Sequence, residues 1–190
     1  AGAEWVFHLA AMPGLTRSWT HFDEYNRCNL VATHRLLESL KGSPSVKKFV
    51  YASTSSVYGK YASGDESLPT KPSSPYGITK NVVGDYLYAY RELHQLEFTA
   101  LALANVYGPR QDPHGEAGVV AIFAGRLLRD EPCTIFGDGA QTRDYVFVDD
   151  VVDAFVRAAD KGNGLIINIG TATETSVNDL YATMARVAGV

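Results

Sequence analysis

The chain has 190 residues, of which 46% are hydrophobic and 20% are charged, and its formal net charge is −4. It is long enough to bury one sizeable core, and its dispersed, mildly acidic charge offers no basic stripe for nucleic acid or an anionic membrane. No apolar run approaches the ~20 residues of a membrane span. Cys28 and Cys133 lie far apart and outside any metal-binding spacing, which favours a reducing compartment such as the cytoplasm and predicts no metal site.

Short apolar segments alternate along the chain with longer segments of helical periodicity. In chain order the predicted elements are a buried strand at 5–9, a helix at 23–40, a strand at 48–53, a loop at 58–75, a helix at 74–96, a strand at 98–104, a loop at 108–118, a helix at 119–128, short strands at 134–136 and 144–148, a helix at 150–159, a strand at 165–169 and a helix at 176–187. The alternation predicts an α/β fold whose doubly wound, parallel sheet is covered by helices on both faces.

Tyr76 and Lys80 are four residues apart on the helix that Ser74 and Pro75 begin, so both side chains leave the same face. A tyrosine pKa near ~10 makes the phenolate cost roughly 4 kcal/mol at neutral pH, and a neighbouring ammonium lowers that cost. Thr54 follows the strand at 48–53, on the edge where open α/β sheets bind ligands. Tyr-x-x-x-Lys alone is a weak signal, but its position after a Ser-Pro helix start favours proton-transfer chemistry.

A series of further motifs spans nearly the whole chain. In order they are H-L-A-A at 8–11, Asn29 in the following helix, S-T-S-S-V-Y-G at 53–59, S-P-Y-G-I-T-K at 74–80, N-V-Y-G-P-R-Q at 105–111, G-D-G-A-Q-T-R-D-Y at 137–145 and V-D-D-V-V at 148–152. Together they resemble the extended short-chain dehydrogenase/reductases of the NAD-dependent epimerase/dehydratase family. Within that family, the set is most similar to the branch that inverts C4 of UDP-glucose and UDP-galactose.

The resemblance implies a role for each matching residue. Tyr76 would be the base for the sugar 4-hydroxyl, Lys80 would hold the nicotinamide ribose and lower the tyrosine pKa, and Thr54 would hydrogen-bond the sugar. The residues expected to line NAD are Leu9, Ala10, Ala11, Asn29, Tyr76, Lys80 and Ala104. Those expected to contact the UDP-sugar are Thr54, Asn105, Arg143 and Tyr145.

The resemblance also implies a partial Rossmann-type sheet with part of a small lobe. Residues 1–107 and 142–170 would form part of the NAD-binding core, and residues 108–141 and 171–190 part of the substrate-binding lobe, within a single compact unit. Family likeness further implies a homodimer. We expect a Gly-rich, pyrophosphate-binding unit to be missing before Trp5 and pocket-closing segments to be missing after Val190.

Rival functions remain open at this level. A 4,6-dehydratase of the same family would carry an Asp-Glu pair directly after the catalytic threonine, whereas this chain has Ser55 and Ser56 there. An epimerase acting on another sugar nucleotide is harder to separate, because the residues that close the pocket are expected to be missing. The chain by itself could also be an inert fragment that binds neither cofactor nor substrate well.

Overall fold

The structure is a computed structural model, and it describes residues 2–61, 63–114 and 118–190. Residue 62 of the predicted loop at 58–75 and residues 115–117 of the predicted loop at 108–118 lie outside this description. The strands are β1 (Trp5–His8), β2 (Lys48–Thr54), β3 (Phe98–Leu103), β4 (Asn105–Tyr107), β5 (Thr142–Arg143), β6 (Tyr145–Phe147), β7 (Leu165–Ile169) and β8 (Thr175–Ser176).

Helices connect most of these strands. They are α1 (Arg17–Thr20), α2 (Phe22–Tyr25), α3 (Ala32–Leu40), α4 (Pro75–His94), α5 (Val119–Leu127), α6 (Val148–Ala158) and α7 (Val177–Ala188), with a π-helical segment at Asn26–Val31 between α2 and α3 and 3₁₀ turns at Ser55–Val57 and Gly59–Tyr61. Most predicted elements are present with their ends shifted by one or two residues. The predicted helix at 23–40 is interrupted by the π-helical segment.

The chain divides into two compact units. The first contains residues 1–103 and 153–169, and the second contains residues 104–152 and 170–190. The sequence-based division differs from this, since it grouped 104–107 and 142–152 with the core. The assignment of one part to NAD and the other to the substrate stays a prediction.

A four-stranded parallel sheet in the order β1-β2-β3-β7 forms the centre of the first unit, as predicted. Val6 of β1 packs against the core that α3 and α4 share with β2 and β3. Phe7, the next residue, packs its ring against that of Phe155 on α6, with ring centroids 6.4 Å apart. Consecutive strand residues point to opposite faces, so helices cover both faces of the sheet. This is the doubly wound arrangement.

The prediction that the first strand is buried is wrong. Trp5 is 40% and Phe7 is 45% exposed. The physical reason is that β1 is an edge strand among the described residues and pairs only with β2. By contrast, every residue of β2, which lies between β1 and β3, is buried.

The second unit is built on two small ladders. β4 pairs in parallel with β6, β5 pairs antiparallel with β8, and α5 packs against α7 around Phe123, Leu127 and Val177. The predicted strand at 134–136 is irregular chain, whereas β4 was not predicted. Both differences arise because strand pairing depends on partners that are distant in sequence.

Candidate functional site

The start of α4 fixes the position of Tyr76. The Ser74 hydroxyl accepts a hydrogen bond from the Gly77 amide at 3.1 Å, and Pro75 occupies the first turn. A Cβ on Gly77 would lie 2.8 Å from the Ser56 carbonyl oxygen, so only glycine lets this turn approach the segment after β2 so closely. Tyr76 is thereby held beside the carboxyl end of β2.

Thr54 and Tyr76 meet at this point. Thr54 is the last residue of β2, is buried, and accepts a hydrogen bond from the Ser56 amide at 3.2 Å. Its side chain also lies near enough to the Tyr76 hydroxyl to lower the pKa of Tyr76. The ring of Tyr25, from α2, packs edge-on against the Tyr76 ring with centroids 6.3 Å apart. The predicted threonine–tyrosine pair is therefore assembled in the structure.

The environment of Tyr76 favours the protonated phenol. Burial raises the pKa of Tyr76, the neighbouring Thr54 hydroxyl opposes that rise, and Tyr25 adds to it. Lys80, which the resemblance assigned to lowering this pKa, is not among these influences. In the described chain Tyr76 thus holds its proton at neutral pH.

Lys80 lies one helical turn beyond Tyr76 and is only 3% exposed. Its Nζ lies 4.4 Å from the centroid of the Tyr51 ring, and burial lowers the pKa of Lys80 to about 8. Within the described part of the chain, we find no hydrogen bond or ion pair that satisfies this ammonium. It is a positive charge held against an aromatic face, and it can accept a further partner.

Asn29 closes the turn that follows β1. Its Oδ1 accepts from the Met12 amide at 2.7 Å, and its Nδ2 donates to the Met12 carbonyl at 3.0 Å and to the Thr79 hydroxyl at 3.3 Å. Because these bonds occupy the amide, Asn29 shapes the turn and fastens it to α4. The π-helical segment carries Asn29 into this position.

The turn itself presents the remaining cofactor candidates of the first unit. Leu9 is 58% exposed, Ala10 is exposed and Ala11 is half-buried. β1 and β2 are parallel with His8 opposite Tyr51, so this turn and Thr54 lie at the same edge of the sheet. The first unit therefore brings together Thr54, Tyr76, Lys80, Asn29 and the turn at 9–11.

The other predicted residues belong to the second unit. Asn105 is exposed and stands opposite Tyr145 on the paired strands β4 and β6, while its amide donates to the Asp144 carbonyl at 2.9 Å. Arg143 is exposed, and its Nη1 donates to the Thr142 carbonyl. The buried Tyr145 hydroxyl has no hydrogen-bond partner among the described residues.

Ala104 also belongs to the second unit and is half-buried. A Cβ on Gly170 would lie 3.3 Å from the Ala104 Cβ and 2.4 Å from an Asp144 carboxylate oxygen. Ala104 thus lies where the chain segments around residues 144 and 170 approach each other.

Sequence reasoning missed Tyr51, Tyr25 and Thr79. Tyr51 is 1% exposed, and its hydroxyl has no hydrogen-bond partner in the described chain. A phenol between the apolar residues Val50 and Ala52, three residues before Thr54, was the available signal. Neither Tyr25 nor Thr79 carries a comparable signal, because their partners are distant in sequence.

Neither a membrane-spanning helix nor a cluster of metal ligands is present among the described residues. No described helix is long and apolar enough to cross a bilayer. Across the described ranges 2–61, 63–114 and 118–190, no three His, Cys, Asp or Glu side chains gather as ligands for a metal ion.

Known proteins resemble the chain in sequence and fold. It is 48% identical over 190 residues to UDP-glucose 4-epimerase from Mycolicibacterium smegmatis, a match covering 98% of this chain and 60% of that protein. A crystal structure of UDP-glucose 4-epimerase from Thermotoga maritima with UDP-glucose matches with a TM-score of 0.94 at 44% identity, covering 98% of this chain and 61% of the other. UDP-N-acetylglucosamine 4-epimerase from Methanobrevibacter ruminantium, in complex with UDP-N-acetylmuramic acid, also gives 0.94, at 32% identity and the same coverage.

The chain spans about 60% of the length of these relatives. The family model described as the NAD dependent epimerase/dehydratase family matches residues 1–170. Because that match covers most of the chain, and solved relatives share both its fold and at least 32% of its sequence, the chain belongs to the NAD-dependent epimerase/dehydratase family.

Proposed function

We propose that the protein is an NAD-dependent sugar-nucleotide epimerase that inverts C4 of UDP-glucose and UDP-galactose. The observation that carries the proposal is the meeting of buried Thr54 with Tyr76, whose pKa Thr54 lowers, and with the buried ammonium of Lys80 one helical turn along the helix. This set can move a proton on a sugar hydroxyl in a site largely shielded from water. The 48% identity to a UDP-glucose 4-epimerase supports this choice of substrate.

The residues around Lys80 fit NAD, the cofactor of the family. The turn at 9–11 is accessible, and Ala10 and Ala11 are small enough to let a ligand approach the backbone. The Lys80 ammonium has no acceptor in the described chain, so a ribose hydroxyl can take that place. We assign Leu9, Ala10, Ala11 and Lys80 to direct contact with NAD, and Asn29 to holding the turn.

Proton transfer is the part of the reaction that the chain's own residues perform. When bound, NAD would supply a hydride acceptor for C4 of the sugar and a hydride donor for its opposite face. Once ionised to the phenolate by loss of its own proton to solvent, Tyr76 takes the proton of the sugar 4-hydroxyl at its Oη as C4 is oxidised and gives it back on reduction, while Thr54 hydrogen-bonds to the reacting oxygen. Because burial raises the Tyr76 pKa, forming the phenolate needs a nearby positive charge. Lys80 lies on the same helix face and would supply it.

We assign the nucleotide to the second unit. Arg143 is exposed and carries a guanidinium, which can bind a phosphate in a bidentate manner. Asn105 and Tyr145 stand opposite each other on paired strands and offer an amide and a phenol. We further propose, from family likeness alone, that the protein acts as a homodimer, which sedimentation velocity would test.

Dehydration is the less favoured reaction. Elimination of water needs a carboxyl pair to supply and remove protons next to the catalytic threonine. Residues 55 and 56 are both serine here, and the Ser56 amide is engaged by Thr54. Serine hydroxyls do not exchange protons at neutral pH as carboxyl groups do, which favours epimerisation.

The deciding experiment is Tyr76→Phe, with Tyr88→Phe on the same helix as matched control. We expect Tyr76→Phe to lower turnover of UDP-galactose by about 10²-fold or more in the presence of NAD, with UDP-sugar binding retained. Tyr88 is 43% exposed and three turns away, so its variant should keep the normal rate.

Turnover of UDP-N-acetylgalactosamine is measured alongside, as is any product lighter by one water. A wild-type rate for Tyr76→Phe would remove Tyr76 from the mechanism. Preferred turnover of the N-acetylated sugar would replace the proposed substrate, and a dehydrated product would replace the proposed reaction.

A further inference from the structure

Tyr51 lies beneath the proposed catalytic lysine. It is a residue of the fully buried strand β2, and the Lys80 Nζ lies 4.4 Å from its ring centroid, well inside the range of a cation–π contact. The His8 ring, from β1, stacks on Tyr51 with centroids 5.9 Å apart and an angle of 24°. Tyr51 therefore joins two neighbouring strands to the helix that carries Lys80.

An aromatic face holds a cation without neutralising it. A carboxylate in this position would form an ion pair and cancel the field of Lys80 at any group nearby. No carboxylate or other hydrogen-bond acceptor is paired with Lys80 among the described residues, so the ammonium keeps its full charge available to a ligand. A buried ammonium needs some compensation for lost hydration, and the ring supplies it.

The ring of Tyr51, rather than its hydroxyl, makes this contact. The hydroxyl is buried and has no hydrogen-bond partner within the described ranges. Burial, with a smaller contribution from Tyr76, raises the pKa of Tyr51, so this phenol stays neutral and takes no proton from the site. Removing such an unsatisfied hydroxyl is close to neutral for stability.

We propose that Tyr51 is a positioning residue whose aromatic face keeps the Lys80 ammonium in place and charged. The catalytic part of this inference rests on the proposed function. Without the ring, Lys80 would lose its proton at lower pH. As the pH is raised, activity would then begin to fall at a lower pH than in the wild-type protein, because the uncharged amine no longer assists Tyr76.

The titratable groups of this cluster behave differently across the pH range. They are His8 from β1, Tyr51 from β2, Tyr25 from α2, and Tyr76 and Lys80 from α4. Burial, assisted by the charge of Lys80, lowers the pKa of His8 from 6.5, so His8 is uncharged above neutral pH. Burial raises the pKa of Tyr51 and Tyr76 above 10, so both phenols keep their protons up to that pH. Between about pH 7 and pH 9.5, Lys80, with its pKa of about 8, therefore titrates, whereas His8, Tyr51 and Tyr76 do not.

The sign of the effect on stability follows from linkage. The pKa of Lys80 is about 8 in the folded chain, compared with 10.5 for an ordinary lysine. Between these values the unfolded chain binds more protons, so folding stability rises with pH. A lower Lys80 pKa would make this rise begin at lower pH. Lys48, whose pKa burial also lowers, adds a rise of the same sign that all variants share.

The experiment compares Tyr51→Leu with Tyr51→Phe and with Phe49→Leu, a buried control on the same strand. Urea unfolding of the NAD-free protein is followed from about pH 7 to pH 9.5, and kcat with NAD is measured over the same range. Tyr51→Leu should move both pH profiles downward by roughly 0.5 to 1.5 units. Tyr51→Phe should keep the normal profiles, and Phe49→Leu should lower stability equally at every pH.

Lys80→Met removes the ammonium and so tests whether Tyr51 acts through Lys80. In that variant Tyr51→Leu should no longer change the pH dependence of stability. An unchanged profile for Tyr51→Leu, or an equal shift for Tyr51→Phe, would overturn the proposal. Should Tyr51→Leu fail to fold, Tyr51→Met provides the same comparison. Full activity of Tyr76→Phe would refute the proposed function alone, since the unfolding measurements read Lys80 without catalysis.

Discussion

Asn29 offers a sharp test of how the turn after β1 is held. Its side chain is 1% exposed and makes hydrogen bonds to the amide and carbonyl of Met12 and to the hydroxyl of Thr79. Asn29→Ala removes all three. At about 1 kcal/mol for each neutral bond, we expect the free energy of unfolding to fall by about 3 kcal/mol.

Urea and thermal unfolding measure this change. For a chain of this length, a loss of about 3 kcal/mol corresponds to a fall in Tm of roughly 6 to 12 °C. Because the turn at 9–11 is assigned to NAD, isothermal titration should also show weaker NAD binding. The titration should be run at a temperature below the lowered Tm of the variant.

Asn26→Ala is the matched control. Asn26 is half-buried at the start of the same π-helical segment, and no side-chain hydrogen bond from it to a described residue is present. Its loss should change stability by less than about 0.5 kcal/mol. Equal effects of the two substitutions would show that the bonds of Asn29 do not hold the turn. A stability loss with unchanged NAD affinity would separate the turn from the cofactor.

Two further substitutions test the local geometry around the site. Ser74→Ala removes the cap of α4 and should lower the free energy of unfolding, measured in urea, by about 1 kcal/mol. Ser73→Ala, at an exposed neighbour, should leave it unchanged, and equal losses would contradict the capping role. Gly59→Ala should cost more than about 2 kcal/mol, because its φ is +80° and a Cβ would lie 2.0 Å from the Lys71 carbonyl oxygen. Gly42 has φ +70° and open space around its Cα, so Gly42→Ala measures the conformational cost alone. A similar loss of stability at both positions would show that the contact with the Lys71 carbonyl relaxes.

The sequence by itself determined the class of fold and the helix that carries the chemistry. Alternating strands and helices predict a parallel sheet because both periodicities are local. Ser74 and Pro75 fix the start of α4 through their own backbone preferences, and a spacing of four residues then puts Tyr76 and Lys80 on one face. Such features depend on neighbours along the chain.

Tertiary structure decided which groups surround those side chains. The ring under Lys80 comes from β2, the partners of Asn29 come from the turn after β1 and from α4, and the exposure of Trp5 and Phe7 follows from the edge position of β1. The strand expected at 134–136 did not form, and β4 did, because ladders need a partner distant in sequence. Burial likewise set the pKa of Lys80 to about 8. Desolvation and pairing are collective properties of the packed chain, so residue spacing alone could not predict them.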